Sequence, residues 1–222
     1  MSLQLSKTAQ IRIEPEGLEG ILGLPEGRAG GIVIFAHGSG SSRLSPRNGY
    51  VAAALRRAGL ATLLLDLLTP GEEQDRRNVF DIGFLASRLV RATRWTAEQA
   101  ETADVAPAYF GASTGAAAAL AAAASLGARI GAVVSRGGRP DLAMPLLPRV
   151  RAPTLLLVGS RDGPVIDMNR RAYAELRCEK RLTIIEGAGH LFEEPGTLDQ
   201  VVRHATNWFV SHLPAPDLRE MP

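Results

Sequence analysis

The chain has 222 residues, of which 45% are hydrophobic and 22% charged, values that are typical of a soluble globular protein. Its formal net charge is only +2, and acidic and basic residues are interspersed, so nucleic acid is not an expected partner. No apolar run approaches the roughly 20 residues that a membrane span needs, so no membrane partner is expected either.

The length suits one domain, and we expect residues 1–222 to form it, with residues 1–9 and 213–222 as flexible tails. The first residues, Met1 to Gln10, lack the apolar core of a secretory signal. The single cysteine, Cys178, cannot form an internal disulfide, which suits a reducing compartment. These features predict a cytoplasmic location and leave the oligomeric state open.

Strand-like and helix-like segments alternate along the chain. Two short segments, around Gln10 to Glu14 and Leu18 to Leu24, predict an edge hairpin. Short apolar runs then predict six buried strands: Gly31 to Ala36, Leu60 to Leu65, Ala106 to Phe110, Ile130 to Val134, Pro153 to Val158 and Arg181 to Ile185. Helical patterns lie between and after them: Asn48 to Arg57, Asp81 to Gln99, Thr114 to Leu126, Val165 to Arg177 and Leu198 to His212.

This alternation predicts an α/β fold, with a mainly parallel, twisted sheet and helices on both faces. The segment between Val134 and Thr154 is too short for a large cap domain. We therefore expect a functional site that is covered by loops alone, at the edge where the carboxyl ends of the strands meet.

The segment Gly111-Ala-Ser-Thr-Gly115 matches the G-x-S-x-G pattern of a nucleophile elbow. It directly follows a predicted strand and precedes the alanine-rich helix that starts near Ala116, which is the strand–turn–helix context that the motif requires. The alternative interpretation is a glycine-rich turn in which Ser113 caps an ordinary helix. The pattern favours Ser113 as a nucleophile.

A serine nucleophile needs a base, which is most often histidine. His190 follows the last predicted strand in a glycine-rich loop, whereas His37 is interpreted as structural and His204 and His212 as residues of the C-terminal helix. A carboxylate should orient the base. Asp162 also follows a strand; it could instead cap the next helix, and Asp167 is the fallback acid.

Acyl transfer also needs two donors directed at the developing oxyanion. We expect the backbone amide of Thr114 to be the first, and the amide of Ser39, in the loop His37-Gly-Ser-Gly-Ser-Ser42, to be the second. The same loop could cradle a phosphate, but it lacks the lysine and the spacing of a P-loop.

These motifs resemble the α/β-hydrolase superfamily and, within it, the dienelactone-hydrolase-like group. The resemblance runs from about Gly31 to Phe209 and rests on His37-Gly38, Gly111 to Gly115, Gly159-Ser-Arg-Asp162 and Gly189-His190. It implies an α/β-hydrolase fold and hydrolysis of an ester, a lactone or a similar acyl substrate, without metal or organic cofactor. One feature departs from the family, because dienelactone hydrolases have a cysteine in the elbow and this chain has Ser113.

Four arginines near predicted strand ends could contact the substrate: Arg43, Arg47, Arg136 and Arg139. We hypothesise that one or two of them, with Arg43 and Arg136 as the candidates, bind a carboxylate or phosphate of the substrate, because a guanidinium suits planar anions. Surface ion pairing is an equally good interpretation. Cys178, in a predicted helix, is interpreted as a packed or surface thiol.

The sequence thus predicts a serine hydrolase with Ser113 as nucleophile, His190 as base and Asp162 as its orienting acid. A small acyl compound is the expected substrate, and activity should rise as His190 loses its proton near neutrality. The same triad could instead serve an acyltransferase or a perhydrolase. A non-catalytic small-molecule-binding protein on a hydrolase fold, or a domain that works beside a partner enzyme, are further alternatives.

Overall fold

The computed structural model describes residues 7–213, which build one eight-stranded sheet. The strands are β1 (Thr8–Ile13), β2 (Leu18–Gly23), β3 (Ile32–Ala36), β4 (Ala61–Leu65), β5 (Pro107–Ala112), β6 (Val133–Arg136), β7 (Thr154–Gly159) and β8 (Lys180–Ile185). The helices are α1 (Pro46–Arg57), α2 (Pro70–Glu73), α3 (Arg76–Phe80), α4 (Ile82–Thr96), α5 (Thr114–Leu126), α6 (Gly163–Glu175) and α7 (Thr197–His212).

The strand order is β1-β2-β4-β3-β5-β6-β7-β8. Strands β1 and β2 form an antiparallel hairpin, and β2 pairs antiparallel with β4; every pair from β4 to β8 is parallel. The chain leaves β3 towards β4 on one side and later returns to β5 on the other. Because the parallel strands share one carboxyl edge, this reversal opens a crevice between the loops after β3 and β5.

Strand β3 shows why the central strands are apolar throughout. All five of its residues are buried, with alternate side chains in different cores. Ile32, Ile34 and Ala36 pack in the core that contains residues of α4 and α5, whereas Val33 and Phe35 pack in the core that contains residues of α1 and α7. The mainly parallel sheet, the helices on both faces and the edge hairpin are confirmed.

Helix α5 lies within backbone contact of the sheet. Its alanines, from Ala116 to Ala119 and from Ala121 to Ala124, are all buried. At Gly115 a Cβ atom would lie 2.2 Å from the carbonyl oxygen of Ala36 in β3, a distance that only glycine permits. The low-complexity segment is therefore a central helix whose small side chains allow the close approach.

Several elements differ from the sequence prediction. The short helices α2 and α3 and the 3₁₀ segments Gly127–Arg129 and Pro140–Arg149 were not predicted. Strand β6 begins at Val133 rather than Ile130, and α6 ends at Glu175, so that Cys178 lies in a loop. Helix α1 begins two residues early, because Ser45 accepts from the Asn48 amide and Pro46 occupies the first turn.

The link between β6 and β7 contains only the 3₁₀ segment Pro140–Arg149, so the described residues include no large cap domain. Of the predicted tails, residues 8 and 9 belong to β1 and pair with β2, which corrects that part of the prediction. Residues 1–6 and 214–222 lie outside the described residues. Within residues 7–213, no helix combines the length and the apolar character that crossing a membrane requires.

We expect Gly115→Ala to destabilise the protein by about 3 kcal/mol or more, because the new methyl group would displace the backbone of β3. Gly49→Ala is the matched control. Gly49 lies in helix α1, and a Cβ atom added there would meet open space, so alanine should stabilise by about 0.5–1 kcal/mol. Urea denaturation of both variants checks the pair; equal effects would contradict the close approach of α5.

Candidate active site

Ser113 is the single residue between the end of β5 and the start of α5. Its backbone has φ 50° and ψ −123°, a conformation that non-glycine residues rarely adopt and that often marks functional sites. The turn is tight, since a Cβ at Gly111 would lie 2.4 Å from Ala116 Cα. Gly111 is therefore required by the turn itself and Gly115 by the close approach to β3, and the strand–turn–helix arrangement is the one predicted.

Backbone hydrogen bonds hold Ser113 in this conformation. Its carbonyl accepts from the amides of Ala116, at 3.1 Å, and Arg139, at 3.0 Å. Its own amide donates to the carbonyl of Arg136, at 3.3 Å. The side chain makes no capping hydrogen bond to α5, so the helix-cap interpretation of Ser113 does not hold.

His190 and Asp162 are joined across two loops at the carboxyl edge. His190 Nδ1 lies 2.7 Å from Asp162 Oδ2. Asp162 occupies the N-cap position of α6, yet its side chain makes no capping hydrogen bond there. The carboxylate thus contacts the imidazole rather than the first amides of the helix. The histidine side chain is 39% exposed and the aspartate 13%.

The loop that carries His190 is held by a carboxylate that the sequence did not indicate. Both oxygens of Glu194 accept from the Gly189 amide, each at 3.0 Å. These bonds hold the pKa of the Glu194 carboxyl below its ordinary value. Nothing in the local pattern distinguishes Glu194 from neighbouring acidic residues, because its role depends on how the loop folds back.

Two further contacts fix the same loop. The Arg161 amide donates to the Ala188 carbonyl at 2.9 Å, and a Cβ at Gly159 would lie only 2.3 Å from that oxygen. Phe192 is buried with φ 56°, a strained conformation for a bulky residue. The surroundings therefore determine the conformation of the loop closely.

Ser113 and His190 line one cavity of about 330 Å³. Its other walls include the glycine–serine loop after β3, Asn48 and two arginines, Arg47 and Arg136. The volume suits a small molecule. The structure thus brings together the predicted nucleophile and base, the loop of the predicted oxyanion donor, and one of the two predicted substrate-binding arginines.

The residues of the two predicted oxyanion donors, Thr114 and Ser39, contact each other. The Thr114 amide is at the first position of α5, where a helix offers it no internal acceptor. The Ser39 amide donates to the side chain of Thr114, with 3.0 Å between the nitrogen and Oγ1. Ser39 can serve an oxyanion only when the Thr114 hydroxyl moves away, a linkage that the sequence did not suggest.

The other candidate bases and acids have other partners. His37 is buried; its Nε2 accepts from the Leu67 amide at 3.3 Å, and its Nδ1 lies 2.9 Å from the Gly38 carbonyl. Asp167 is exposed and pairs with Arg170 at 3.3 Å. His37 therefore ties the loop after β3 to the loop after β4, as its structural interpretation anticipated.

Arg43 does not reach the cavity, which corrects its proposed contact with substrate. Its guanidinium forms ion pairs with Asp66 and, at 2.5 Å, with Glu19. Arg139 is likewise paired, through two bonds of 2.9 Å to Asp141. Half-buried Cys178 lies 3.7 Å from the Thr154 hydroxyl, and burial raises the pKa of its thiol, which fits the packed thiol that the sequence predicts.

Comparison with known proteins gives relatives of two kinds. No protein-family model matches the chain. It is 57% identical over 207 residues to proteins of two Mycobacterium tuberculosis strains that are named as phosphoribosyl transferases. The match covers 93% of this chain but only 46% of those proteins, so the chain spans about half the length of these curated relatives.

Among solved structures, dienelactone hydrolase from Anabaena variabilis is 54% identical, with a TM-score of 0.89, and the match covers 94% of this chain and 98% of that one. A serine hydrolase homologue from Coxiella burnetii has a TM-score of 0.76 at 18% identity, covering 93% of this chain and 99% of that one. At that identity the likeness shows the fold alone.

We expect Glu194→Ala to speed hydrogen exchange of the Gly189 amide at least about tenfold, because the amide loses a charged acceptor. Glu194→Gln keeps one acceptor oxygen and should restore part of the protection. Glu186→Ala, at an exposed carboxylate of the same loop, is the control that should leave Gly189 unchanged. Exchange followed by NMR measures all three; unchanged protection in Glu194→Ala would refute the role.

The same contact has a defined pH dependence. Because the folded protein lowers the pKa of Glu194, the stabilisation is present above the carboxyl's unfolded pKa and is lost as the pH falls through the lowered value. The difference in urea stability between wild type and Glu194→Gln should therefore be largest near neutral pH and shrink in acid. A difference that grows in acid would contradict this assignment.

Proposed function

Because the chain belongs to the dienelactone hydrolase family, we propose that it is a serine hydrolase that cleaves a carboxylic ester, a lactone or a similar acyl substrate. The observation that carries the proposal is the arrangement of three side chains. Ser113 lies on a strained turn and lines one cavity with His190. The Asp162 carboxylate lies 2.7 Å from His190 Nδ1.

In the first half of the proposed reaction, Ser113 Oγ attacks the acyl carbonyl carbon while its proton passes to His190 Nε2. The Thr114 amide, with the Ser39 amide once it is released from the Thr114 hydroxyl, stabilises the negative oxygen that forms. The bond to the alcohol then breaks, and the alcohol leaves with the proton from His190. The acyl group remains on Ser113 as an ester.

In the second half, His190 takes a proton from water, and the resulting hydroxide attacks the acyl-enzyme carbonyl. Collapse of this intermediate releases the carboxylic acid and returns a proton to Ser113. Asp162 stabilises the imidazolium that forms twice in the cycle. The exposure of the histidine side chain, 39%, supports water as the acyl acceptor.

Because the elbow carries a serine, the nucleophile depends on a neighbouring base. A thiol ionises readily near neutral pH, whereas a serine hydroxyl requires an adjacent base to be an effective nucleophile. The bond from His190 to Asp162 supports such a base in this chain. We therefore propose serine-type ester hydrolysis rather than the cysteine chemistry of dienelactone hydrolases with a thiol in this position.

The phosphoribosyl transferase name of the curated relatives calls for a separate account. The matched 207 residues make up 46% of the length of those proteins, and we attribute the name to the remaining part. The support is that this chain matches a dienelactone hydrolase over 98% of that protein's length. A small acyl compound is the proposed substrate, and the cytoplasmic location stays a prediction.

A fluorophosphonate probe tests the nucleophile. We expect it to label the wild-type protein on the peptide that contains Ser113, as located by mass spectrometry, and not to label Ser113→Ala. Ser39→Ala, which keeps the backbone amide, controls for labelling of a second serine that lines the cavity. Absence of any label between about pH 6 and 9 would favour the non-catalytic binding protein.

Substitution at the base and its acid tests the rest of the triad. Asp162→Asn should lower kcat about 10³- to 10⁴-fold, because the amide favours the wrong imidazole tautomer. The control is Asp167→Asn, at an exposed acid in helix α6, the helix that Asp162 precedes. It should stay within about threefold of wild type. Steady-state hydrolysis of a short activated ester measures both; equal effects would remove Asp162 from the mechanism.

The pH profile provides an independent check. Wild-type kcat/KM should rise from acid towards neutral pH, since histidine acts as a base only when it is neutral. A rate that is independent of pH between about 5 and 8 would contradict His190 as the base.

A further inference from the structure

The segment that follows β6, residues 137–139 and here called the β6 loop, touches both the nucleophile and the base. Its Arg139 amide donates to the Ser113 carbonyl at 3.0 Å. Gly137, which has φ 51°, packs against the other loop of the site. A Cβ atom added there would lie 3.0 Å from the His190 carbonyl oxygen and 3.6 Å from His190 Cε1. The β6 loop therefore contacts the two groups whose separation matters most in the proposed reaction.

Two peptide groups at the β6 loop hold the strained backbone of Ser113. The first joins Arg136 to Gly137, and its carbonyl accepts from the Ser113 amide at 3.3 Å. The second joins Gly138 to Arg139, and its N–H donates to the Ser113 carbonyl at 3.0 Å. A residue with a rare backbone conformation keeps it only where the surroundings determine it. The direction of the second peptide group is therefore one of the constraints on the nucleophile.

Asn169 of helix α6 holds the other side of that second peptide group. The residue is fully buried, and its Nδ2 donates to the Gly138 carbonyl at 2.9 Å and to the Val165 carbonyl at 2.8 Å. Because a peptide group is planar, a bond that fixes the direction of its C=O also fixes the direction of its N–H. A chain of contacts thus runs from the Asn169 side chain, through one peptide group, to the Ser113 carbonyl.

The β6 loop needs such a contact from outside, because glycine gives it the largest backbone freedom of any residue. A larger residue does not fit at Gly138, where a Cβ atom would lie 2.0 Å from Ser135 Oγ and 2.6 Å from Ala116 Cβ. The close packing around the nucleophile therefore requires a glycine at this position. A side chain from another element has to fix the peptide group instead.

The amide of Asn169 is the kind of group that this contact requires. Its Nδ2 has two hydrogens, and each is donated to a carbonyl. Within residues 7–213, its buried Oδ1 has no hydrogen-bond partner, which costs free energy. A leucine of similar size would fill the space without that cost, but it could not donate to the Gly138 carbonyl.

We propose that Asn169 is a positioning residue, which acts through the β6 loop to set the place of Ser113 relative to His190. Helix α6, which carries Asn169, begins directly after Asp162. One helix therefore follows the acid and, through the β6 loop, constrains the nucleophile. Asn169 does not line the cavity and takes no part in proton transfer. The inference rests on the proposed function, because it names a residue that acts on that same site.

The first test removes the donor and keeps the approximate size of the side chain. For Asn169→Leu, kcat on a short activated ester should fall about 10- to 100-fold while KM stays within about threefold, because a small displacement of the nucleophile slows the chemical step. The rate is expressed per site that a fluorophosphonate labels at completion, so that loss of folded protein does not count. An unchanged kcat per site would overturn the inference.

Thr102→Val is the matched control for the loss of a buried hydrogen bond. The buried Thr102 hydroxyl donates to the Thr96 carbonyl at 2.7 Å, in the segment between α4 and β5. The variant should lose stability, as Asn169→Leu does, but its kcat per labelled site should stay within about threefold of wild type. Equal losses of kcat in the two variants would mean that Asn169 has a merely structural role.

A conservative variant tests the donated hydrogen bond itself. Asn169→Asp keeps the shape of the side chain; its carboxyl can donate to the Gly138 carbonyl when protonated and repels both carbonyls when ionised. The ratio of its kcat to the wild-type kcat should fall at least about fivefold between about pH 5 and pH 8, whereas the ratio for Asn169→Leu stays constant. A constant ratio for Asn169→Asp would contradict the inference. If Asn169→Leu fails to fold, this comparison decides.

Hydrogen exchange separates the inference from the proposed function, since it needs no turnover. The Arg139 amide should exchange at least about tenfold faster in Asn169→Leu than in wild type, and within about threefold of wild type in Thr102→Val. Unchanged protection of Arg139 would overturn the inference and leave the proposed function standing. Wild type that no fluorophosphonate labels, with Arg139 protection that still depends on Asn169, would overturn the proposed function and keep the contact with Ser113.

Discussion

The arrangement of the site depends on how closely helix α5 approaches the strands β3 and β5. Carbonyl oxygens at the end of β3 touch the start of the helix, and a Cβ at Gly38 would come within 2.9 Å of Ser113 Cβ. Glycine at these contacts and alanine along the buried helix remove the side chains that would hold the backbones apart. The serine turn, the loop after β3 and the first amides of α5 therefore meet at one point.

Charge is distributed in two ways across the fold. Away from the cavity, two arginines with little exposed side chain are matched by carboxylates: Arg88 by Glu16 and Glu72, and Arg43 by Glu19 and Asp66. At the cavity, Asp162 is used to orient a histidine and Glu194 to fix a backbone amide, and neither pairs with an arginine. Asp162 and Glu194 thus contact uncharged or neutral groups, Glu193 pairs with Arg47, and Arg136 has no carboxylate partner among the described residues.

The sequence predicted those features that depend on local pattern. Buried parallel strands are apolar along their whole length, so the ends of β3 and β7 were predicted to within one residue. The elbow carries its own strand–turn–helix context. The missed features depend on distant partners. The Ser39 amide meets a threonine 75 residues away, and Arg43 pairs with an aspartate 23 residues away. The 3₁₀ segment Pro140–Arg149 was missed because Pro145 and Pro148 interrupt any helical period.

The half-exposed imidazole of His190 has a consequence for the lifetime of any acyl group carried on Ser113. With only a 3₁₀ segment between β6 and β7, no described domain shields the site from bulk solvent. Water is by far the most concentrated nucleophile around such a site, and 39% of the His190 side chain is open to it. A competing alcohol or amine would have to bind in the cavity to intercept the acyl group. Under the proposed function, solvent access rather than the triad would therefore set the partition between hydrolysis and transfer.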